Sequence, residues 1–154
     1  MITENEVEDI LRRHLDKDKY FIVKVKVSPG NKIFVAVDNY THITLDECAQ
    51  INQMLIPHLD AIDDDYELEV SSPGLTHPFE VIEQYRKYRD NEVEVLLRSG
   101  EKKTGILGET YENGFDLRVE KKVTEAGSKK KKKITENQFI EFTEVKYTRR
   151  KIKF

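Results

Sequence analysis

A single cysteine, Cys48, stands in the 154 residues, so no disulfide forms within the chain and stability has to come from packing, as in a reducing compartment. Residues Met1 to Ile10 carry Glu4, Glu6, Glu8 and Asp9 and no basic side chain, the reverse of a secretory leader. Long apolar runs are missing too: Phe21 to Val27 is broken by Lys24 and Lys26, far short of the roughly 20 residues that span a bilayer. These absences predict a cytoplasmic protein with no membrane segment. Catalytic motifs are equally scarce. Ser71 and Ser72 lack a Gly-x-Ser-x-Gly elbow, and no Walker loop occurs. His14, His42, His58 and His77 are scattered, and Cys48 has no Cys or His at ligand spacing, which argues against zinc. Asp60, Asp63, Asp64 and Asp65 lack the glycine and terminal glutamate of a calcium loop. The expectation is a binding protein with no enzymatic activity, metal or cofactor.

What the chain has in abundance is charge, at 36% of residues, and it is unevenly placed. Residues 1–78 hold 7 Lys+Arg against 15 Asp+Glu, a balance of −8, whereas residues 79–154 hold 19 against 14, a balance of +5. Such polarity suits a molecule that meets an anionic polymer with one end and a cationic surface with the other. Two independently soluble domains are the plainer alternative.

Thr3 to Glu6 is a capping box, and Val7, Ile10, Leu11, His14 and Leu15 follow at helical spacing. From Tyr20 the period becomes two, setting Phe21, Val23, Val25 and Val27 on one face and Ile22, Lys24 and Lys26 on the other. Pro29, Gly30 and Asn31 supply a turn, and Ile33, Val35 and Val37 return as the second strand of an antiparallel hairpin. A second capping box, Thr44 to Glu47, opens a helix whose buried face is Leu45, Cys48, Ile51, Leu55 and Ile56 and whose end falls near Pro57. Tyr66 to Ser72 alternates as a third strand. The order αββαβ predicts a three-stranded sheet with both helices on one face.

Ser72-Pro73-Gly74-Leu75 suits a type II turn, and Pro78 suits the first position of a short helix containing Val81, Ile82 and Tyr85. Two prolines in six residues make a stiff joint, so the domains are read as 1–78 and 79–154, with Ser71, Ser72, Pro73, Gly74 and Pro78 as the junction. About five short strands follow, punctuated by Ser99-Gly100 and Asn113-Gly114, with Glu136 to Phe139 as one helical turn. That spacing predicts a small SH3-like or Sm-like barrel, giving an α+β class overall. Gly105-Ile106-Leu107-Gly108 lies in a strand pattern and is not read as the Gly-x-x-Gly loop of a KH domain.

Lys129, Lys130, Lys131, Lys132 and Lys133 are read as a long loop between two strands. Together with Lys146, Arg149, Arg150, Lys151 and Lys153 they predict an RNA phosphate-contacting surface. The competing reading is a solvated loop and a frayed basic tail. Tyr111, Tyr147 and Phe154 are candidates for base stacking, or else core aromatics.

Tyr66-Glu67-Leu68-Glu69-Val70-Ser71-Ser72-Pro73-Gly74-Leu75, followed by Pro78-Phe79, resembles the domain-junction signature of the RimP family of bacterial ribosome maturation factors. Phe34 to Asp38, the helix from Thr44 to Leu55 and Leu59-Asp60 look like that family's N-terminal domain, and the barrel pattern looks like its C-terminal domain. The chain departs from the pattern at Thr76-His77 and at Arg89-Asp90-Asn91, and its lysine run looks local to this sequence. The resemblance implies a monomer that binds the immature small ribosomal subunit during late maturation, touching ribosomal RNA and a basic ribosomal protein. The acidic half, through Asp38, Glu67 and Glu69, is the expected protein-binding side. The alternative is a standalone Sm-like RNA-binding module or RNA chaperone, which assembles into rings. A protein-binding adaptor is the third.

Overall fold

Two threonines decide where the first helices begin. Thr3 Oγ1 accepts the Glu6 amide at 3.2 Å while Glu6 Oε1 accepts the Thr3 amide at 3.1 Å, which starts α1 (Glu4–His14). Thr44 and Glu47 repeat the exchange at the head of α2 (Leu45–Asp60). Each box satisfies backbone donors that have no partner within the helix, at about 1 kcal/mol apiece. Between the helices run β1 (Tyr20–Ser28) and β2 (Lys32–Asn39), and β3 (Glu67–Ser71) follows α2. The turn joining β1 to β2 places Gly30 and Asn31 at positive φ, 84° and 52°, the conformation that Gly and Asn adopt with least strain.

This is the computed structural model of the chain, and it describes residues 1–124, 127 and 131–152. Two units emerge, Met1–Gly74 and Leu75–Phe154. The break falls four residues before the expected position, and those four residues contain no Asp, Glu, Lys or Arg, so the −8 and +5 balances are the same at either point.

In the first unit the sheet order is β1-β2-β3, with β1 and β2 antiparallel and β2 and β3 parallel. A parallel pair needs a crossover, and α2 supplies it. Val7 and Leu11 of α1 and Ile51, Leu55 and Leu59 of α2 pack on Ile33, Val35 and Val37 of β2, so both helices cover one face, as the element order predicts. The expected faces of β1 are wrong in part. Ile22 pairs with Val37 and Lys24 with Ala36, leaving Val23 as an extra residue that reverses the alternation. Tyr20, Ile22, Val25 and Val27 therefore meet the helices, while Phe21 packs on Tyr40. A bulge has no period of its own, so strict alternation runs straight through it.

Two expectations for α2 also change. Leu45 is 89% exposed, because the buried stripe runs Cys48, Ile51, Leu55 and Leu59. Pro57 lies inside the helix, which continues to Asp60. Near a helix end a missing amide removes only one bond, and fully buried Leu59 holds the last turn against the core.

The second unit has α3 (Ile82–Lys87), β4 (Glu92–Leu97), β5 (Lys102–Thr110), β6 (Gly114–Thr124), β7 (Lys131–Glu141), a 3-10 turn (Phe142–Glu144) and β8 (Val145–Arg150). Turn geometry in the junction falls at Leu75-Thr76 rather than Pro73-Gly74. Pro78 precedes α3, whose start is set instead by Gln84 Oε1 accepting the Glu80 and Val81 amides at 2.6 and 3.2 Å. Glu136 to Phe139 is strand, not a helical turn; the turn comes at Phe142. Lys131, Lys132 and Lys133 are likewise the first residues of β7 rather than loop. All four ladders are antiparallel in the order β7-β6-β5-β4-β8, and among the described residues no ladder joins β7 to β8. The core is Tyr85, Val93, Val95, Leu107, Phe115, Leu117 and Ile140. Gly105 does sit within β5, where an added Cβ would strike the Arg118 carbonyl of β6.

Two predictions test these cores. Leu117→Ala, at a fully buried position, lowers unfolding free energy by about 2–5 kcal/mol in denaturant titration. Glu47 accepts the Tyr20 hydroxyl at 2.5 Å, and that bond, with those of Thr44 and the Lys19 ammonium, brings its carboxyl from 4.5 down to about 2. A depressed carboxyl stabilises the fold above its ordinary value and loses that contribution as pH falls toward its folded one. Glu47→Gln should therefore lower Tm at neutral pH, and the gap to the parent protein should close between pH 4.5 and about 2. A gap independent of pH would refute the linkage.

Candidate nucleic-acid interface

Strand order separates the two groups of cations expected to share one surface. Arg149, Arg150 and Lys151 belong to or directly follow β8 at one edge of the second unit's sheet, whereas Lys131, Lys132 and Lys133 open β7 at the other. Lys129, Lys130, Lys153 and Phe154 lie outside the described residues.

The β8 cations are already engaged. Because β4 pairs with β8, Glu94 stands opposite Arg149 with Nη2 to Oε1 at 3.5 Å, and the same carboxylate takes Lys102 Nζ. Lys151 Nζ lies 3.8 Å from Glu92 Oε1. The Arg150 guanidinium sits 4.5 Å from the Tyr88 ring, which stacks on Phe79, and that of Arg149 lies 5.2 Å from the Tyr147 ring. Tyr147 thus carries a cation-π contact. None of this removes the positive charge, but it offsets part of it and holds the side chains in place.

At the opposite edge β6 and β7 pair over their whole length, from Gly114 with Glu141 to Thr124 with Lys131. The β5 ladder stops at Ile106 with Arg118, so six further pairs of β6 and β7 continue as a two-stranded ribbon. Lys133 and Ile134 on it are exposed. Lys121 Nζ meets Glu136 Oε2 at 2.6 Å, and that ammonium, followed by the Gln138 amide, lowers the Glu136 carboxyl below its ordinary range. Below the ribbon, Tyr111 and Phe139 form an exposed edge-to-face pair with centroids 5.8 Å apart. The Tyr111 hydroxyl donates to Asp116 Oδ2 at 2.9 Å, so a carboxylate borders these rings.

In the first unit the face of the sheet away from the helices carries the acidic candidates. Glu67 pairs with Lys32, and Glu69 lies in a row with Phe34 and Lys26; both glutamates are exposed. Asp38 is only 3% exposed, and its Oδ1 accepts the Asn39 amide at 2.9 Å, which removes it from the partner surface expected of it. The acidic turn is structural as well. Asp63 takes the Asn31 amide group at 3.0 Å and the chain's amino terminus at 3.6 Å, and Asp60 takes the Tyr66 hydroxyl at 2.8 Å. Cys48 is buried, and burial pushes its thiol upward. His14 stacks on His58 at 4.1 Å. Among the described residues no cluster of three His, Cys, Asp or Glu side chains has a metal-holding arrangement, and no helix is long and apolar enough to cross a membrane.

Residues 10–76 match the family model for the RimP N-terminal domain. Over 146 residues, 95% of this chain and 96% of the relative, the sequence is 34% identical to ribosome maturation factor RimP from two strains of Porphyromonas gingivalis, W83 and ATCC 33277. The chain belongs to the RimP family of ribosome maturation factors. A RimP of Flavobacterium psychrophilum is 27% identical over 88 residues, 56% of this chain and 57% of that protein. The P. gingivalis alignments extend through the basic unit, so the RimP likeness is not confined to the domain the family model describes.

Residues that composition alone did not single out are Glu92 and Glu94. Their spacing matches that of Arg149 and Lys151, but the match has meaning only once β4 is known to lie beside β8. A Glu92→Gln/Glu94→Gln variant should elute from heparin at higher salt than the parent protein, since two charges that offset the β8 cations are gone. Unchanged elution would show that these pairs do not restrain the cations.

Proposed function

We propose that this chain is a non-catalytic assembly factor that binds the immature small (30S) ribosomal subunit in the cytoplasm and assists its late maturation. The observation that carries this reading is the 34% identity over 95% of the chain to proteins named ribosome maturation factor RimP. The charge division supports a two-sided contact: a −8 unit repelled by bulk RNA and suited to a basic ribosomal protein, and a +5 unit suited to phosphate. Within the first unit Glu67 and Glu69 are the exposed acidic candidates. Within the second, the proposed RNA contacts are Lys129 to Lys133 and Arg149, Arg150, Lys151 and Lys153.

We read the second unit as an SH3-like barrel of the Sm-like kind. The support is its strand count and its plugged centre, where Tyr85 lies against Phe115 and Phe142 with centroids 4.9 and 5.1 Å away and donates its hydroxyl to buried Thr148 at 2.8 Å. The working form is a monomer. Ser71, Ser72, Pro73, Gly74 and Pro78 act as a stiff joint that lets both contacts form together, and affinity gains from the effective concentration of the second site.

Sedimentation of tagged protein through ribosomal fractions tests the whole reading. Co-migration with immature small subunits is expected. Migration with free RNA as a hexamer or heptamer would point instead to a ring-forming Sm-like module. A flexible spacer inserted after Gly74 should weaken subunit binding and slow maturation; unchanged values for both would remove the stiff joint from the account.

A further inference from the structure

The sheet of the first unit guards one of its edges and leaves the other open. At the guarded edge β1 carries Lys24 and Lys26, is bent by the bulge at Val23, and has its Val27 amide taken by Glu4 Oε1 at 3.2 Å. Lysines, bulges and covered backbone groups keep a further strand from adding. β3 has none of these. Its residues Glu67–Ser71 include no Lys or Pro and pair with β2 without a register shift. The Glu67 amide donates to the Asn31 carbonyl at 3.0 Å, so residues 67, 69 and 71 turn their backbone groups to β2 and those of Leu68 and Val70 point the other way. Among the described residues no strand lies beside that edge, and no hydrogen bond reaches those two amides or carbonyls.

Charge selects what would pair there. Glu67 and Glu69 are exposed on the face away from the helices, exposed Asp64 and Asp65 precede them, and no Lys or Arg stands between Lys32 and Arg86. Lys32 lies across the ladder from Glu67 and Lys26 two strands from Glu69, but neither forms an ion pair with them among the described residues. A phosphate chain is repelled at this edge. So is a second copy of β3, which would set carboxylate against carboxylate.

We propose that the open edge of β3 takes up an extended segment of a basic protein as a fourth strand, with Lys or Arg at alternate positions beside Glu67 and Glu69. This rests on the protein-binding half of the assembly reading and gives its mode. The backbone groups of Leu68 and Val70 hold any chain that can extend. Selectivity comes from the period of two: every second side chain of the added strand falls on the Glu67–Glu69 face, and those between fall beside Leu68 and Val70, on the side that the helices cover. The segment that fits alternates basic and apolar residues.

The test titrates the full chain with the fluorescein-labelled peptide Lys-Val-Lys-Val-Lys-Val-Gly and with Lys-Lys-Lys-Val-Val-Val-Gly, which has the same charge without the alternation. Two N-methylated forms of the first peptide are added, one blocked at its valine amides and one at its lysine amides. Only alternate amides of a strand face its neighbour, so one form should bind like the unmodified peptide and the other should fail. Hydrogen exchange at the Leu68 and Val70 amides should slow on binding. Glu67→Lys/Glu69→Lys should weaken binding about tenfold or more, while the control Asp9→Lys/Asp18→Lys keeps the parent affinity. The proposal is overturned by no binding of the alternating peptide, by equal affinity for the two lysine-valine orders or the two N-methylated forms, by unchanged exchange, or by an equal loss in the control. A dimer that protects the Leu68 and Val70 amides without peptide gives the edge to a second copy and overturns it too. Subunit sedimentation separates the two levels: a parent that misses the immature subunit yet shows the N-methyl-sensitive binding sinks the assembly reading and leaves the edge standing.

Discussion

Pairing between β4 and β8, the first and last strands of the second unit, is the contact on which the charge pattern of that unit depends. It brings Glu92 and Glu94 beside Lys151 and Arg149, so cations that look like a free basic tail are held by carboxylates about 55 residues away in sequence. Ion pairs near the surface such as these, with their carboxylates partly covered, add on the order of 1 kcal/mol to stability. They also hold the β8 side chains in place and offset part of their charge.

The opposite edge follows another logic. There the β5 ladder stops and the β6–β7 hairpin runs on, and past Val119, which still packs on the core, its strands pair only with each other among the described residues. Lysines are common guards of unpaired edges, since they discourage a second strand from adding. Elsewhere in the unit Arg118 faces Asp90 at 3.2 Å and Arg89 faces Glu109 at 2.9 Å. The unit is thus basic by sum, but its cations are not equally available.

In the first unit a one-residue irregularity has wide consequences. Without the bulge at Val23, one half of β1 would turn its apolar residues away from the helices, since a slip of one residue exchanges the faces of a strand. With it, Ile22, Val25 and Val27 all reach the core, and Lys24 and Lys26 share the outer face with Glu69. The −8 balance is therefore not one acidic patch: lysines interleave the sheet, Asp38 is buried, and Asp60 and Asp63 tie down Tyr66, Asn31 and the amino terminus.

Local chemistry was legible from the amino-acid order. The boxes at Thr3 and Thr44, the buried stripes of α1 and α2 apart from exposed His14 and Leu45, the hairpin at Pro29 to Asn31, the strand identity of Gly105 to Gly108 and the likeness to RimP all rest on residues within a few positions of one another. Backbone donors at a helix start and side-chain periods of 3.6 and 2 are decided at that range. The bulge in β1, the extension of α2 through Pro57, the strand character of Glu136 to Phe139 and the engagement of Arg149 by Glu94 were not legible. Each depends on which strand lies beside which and in what register. Register is settled by burial and pairing summed over the whole sheet, and a short stretch of sequence carries no record of its distant neighbour.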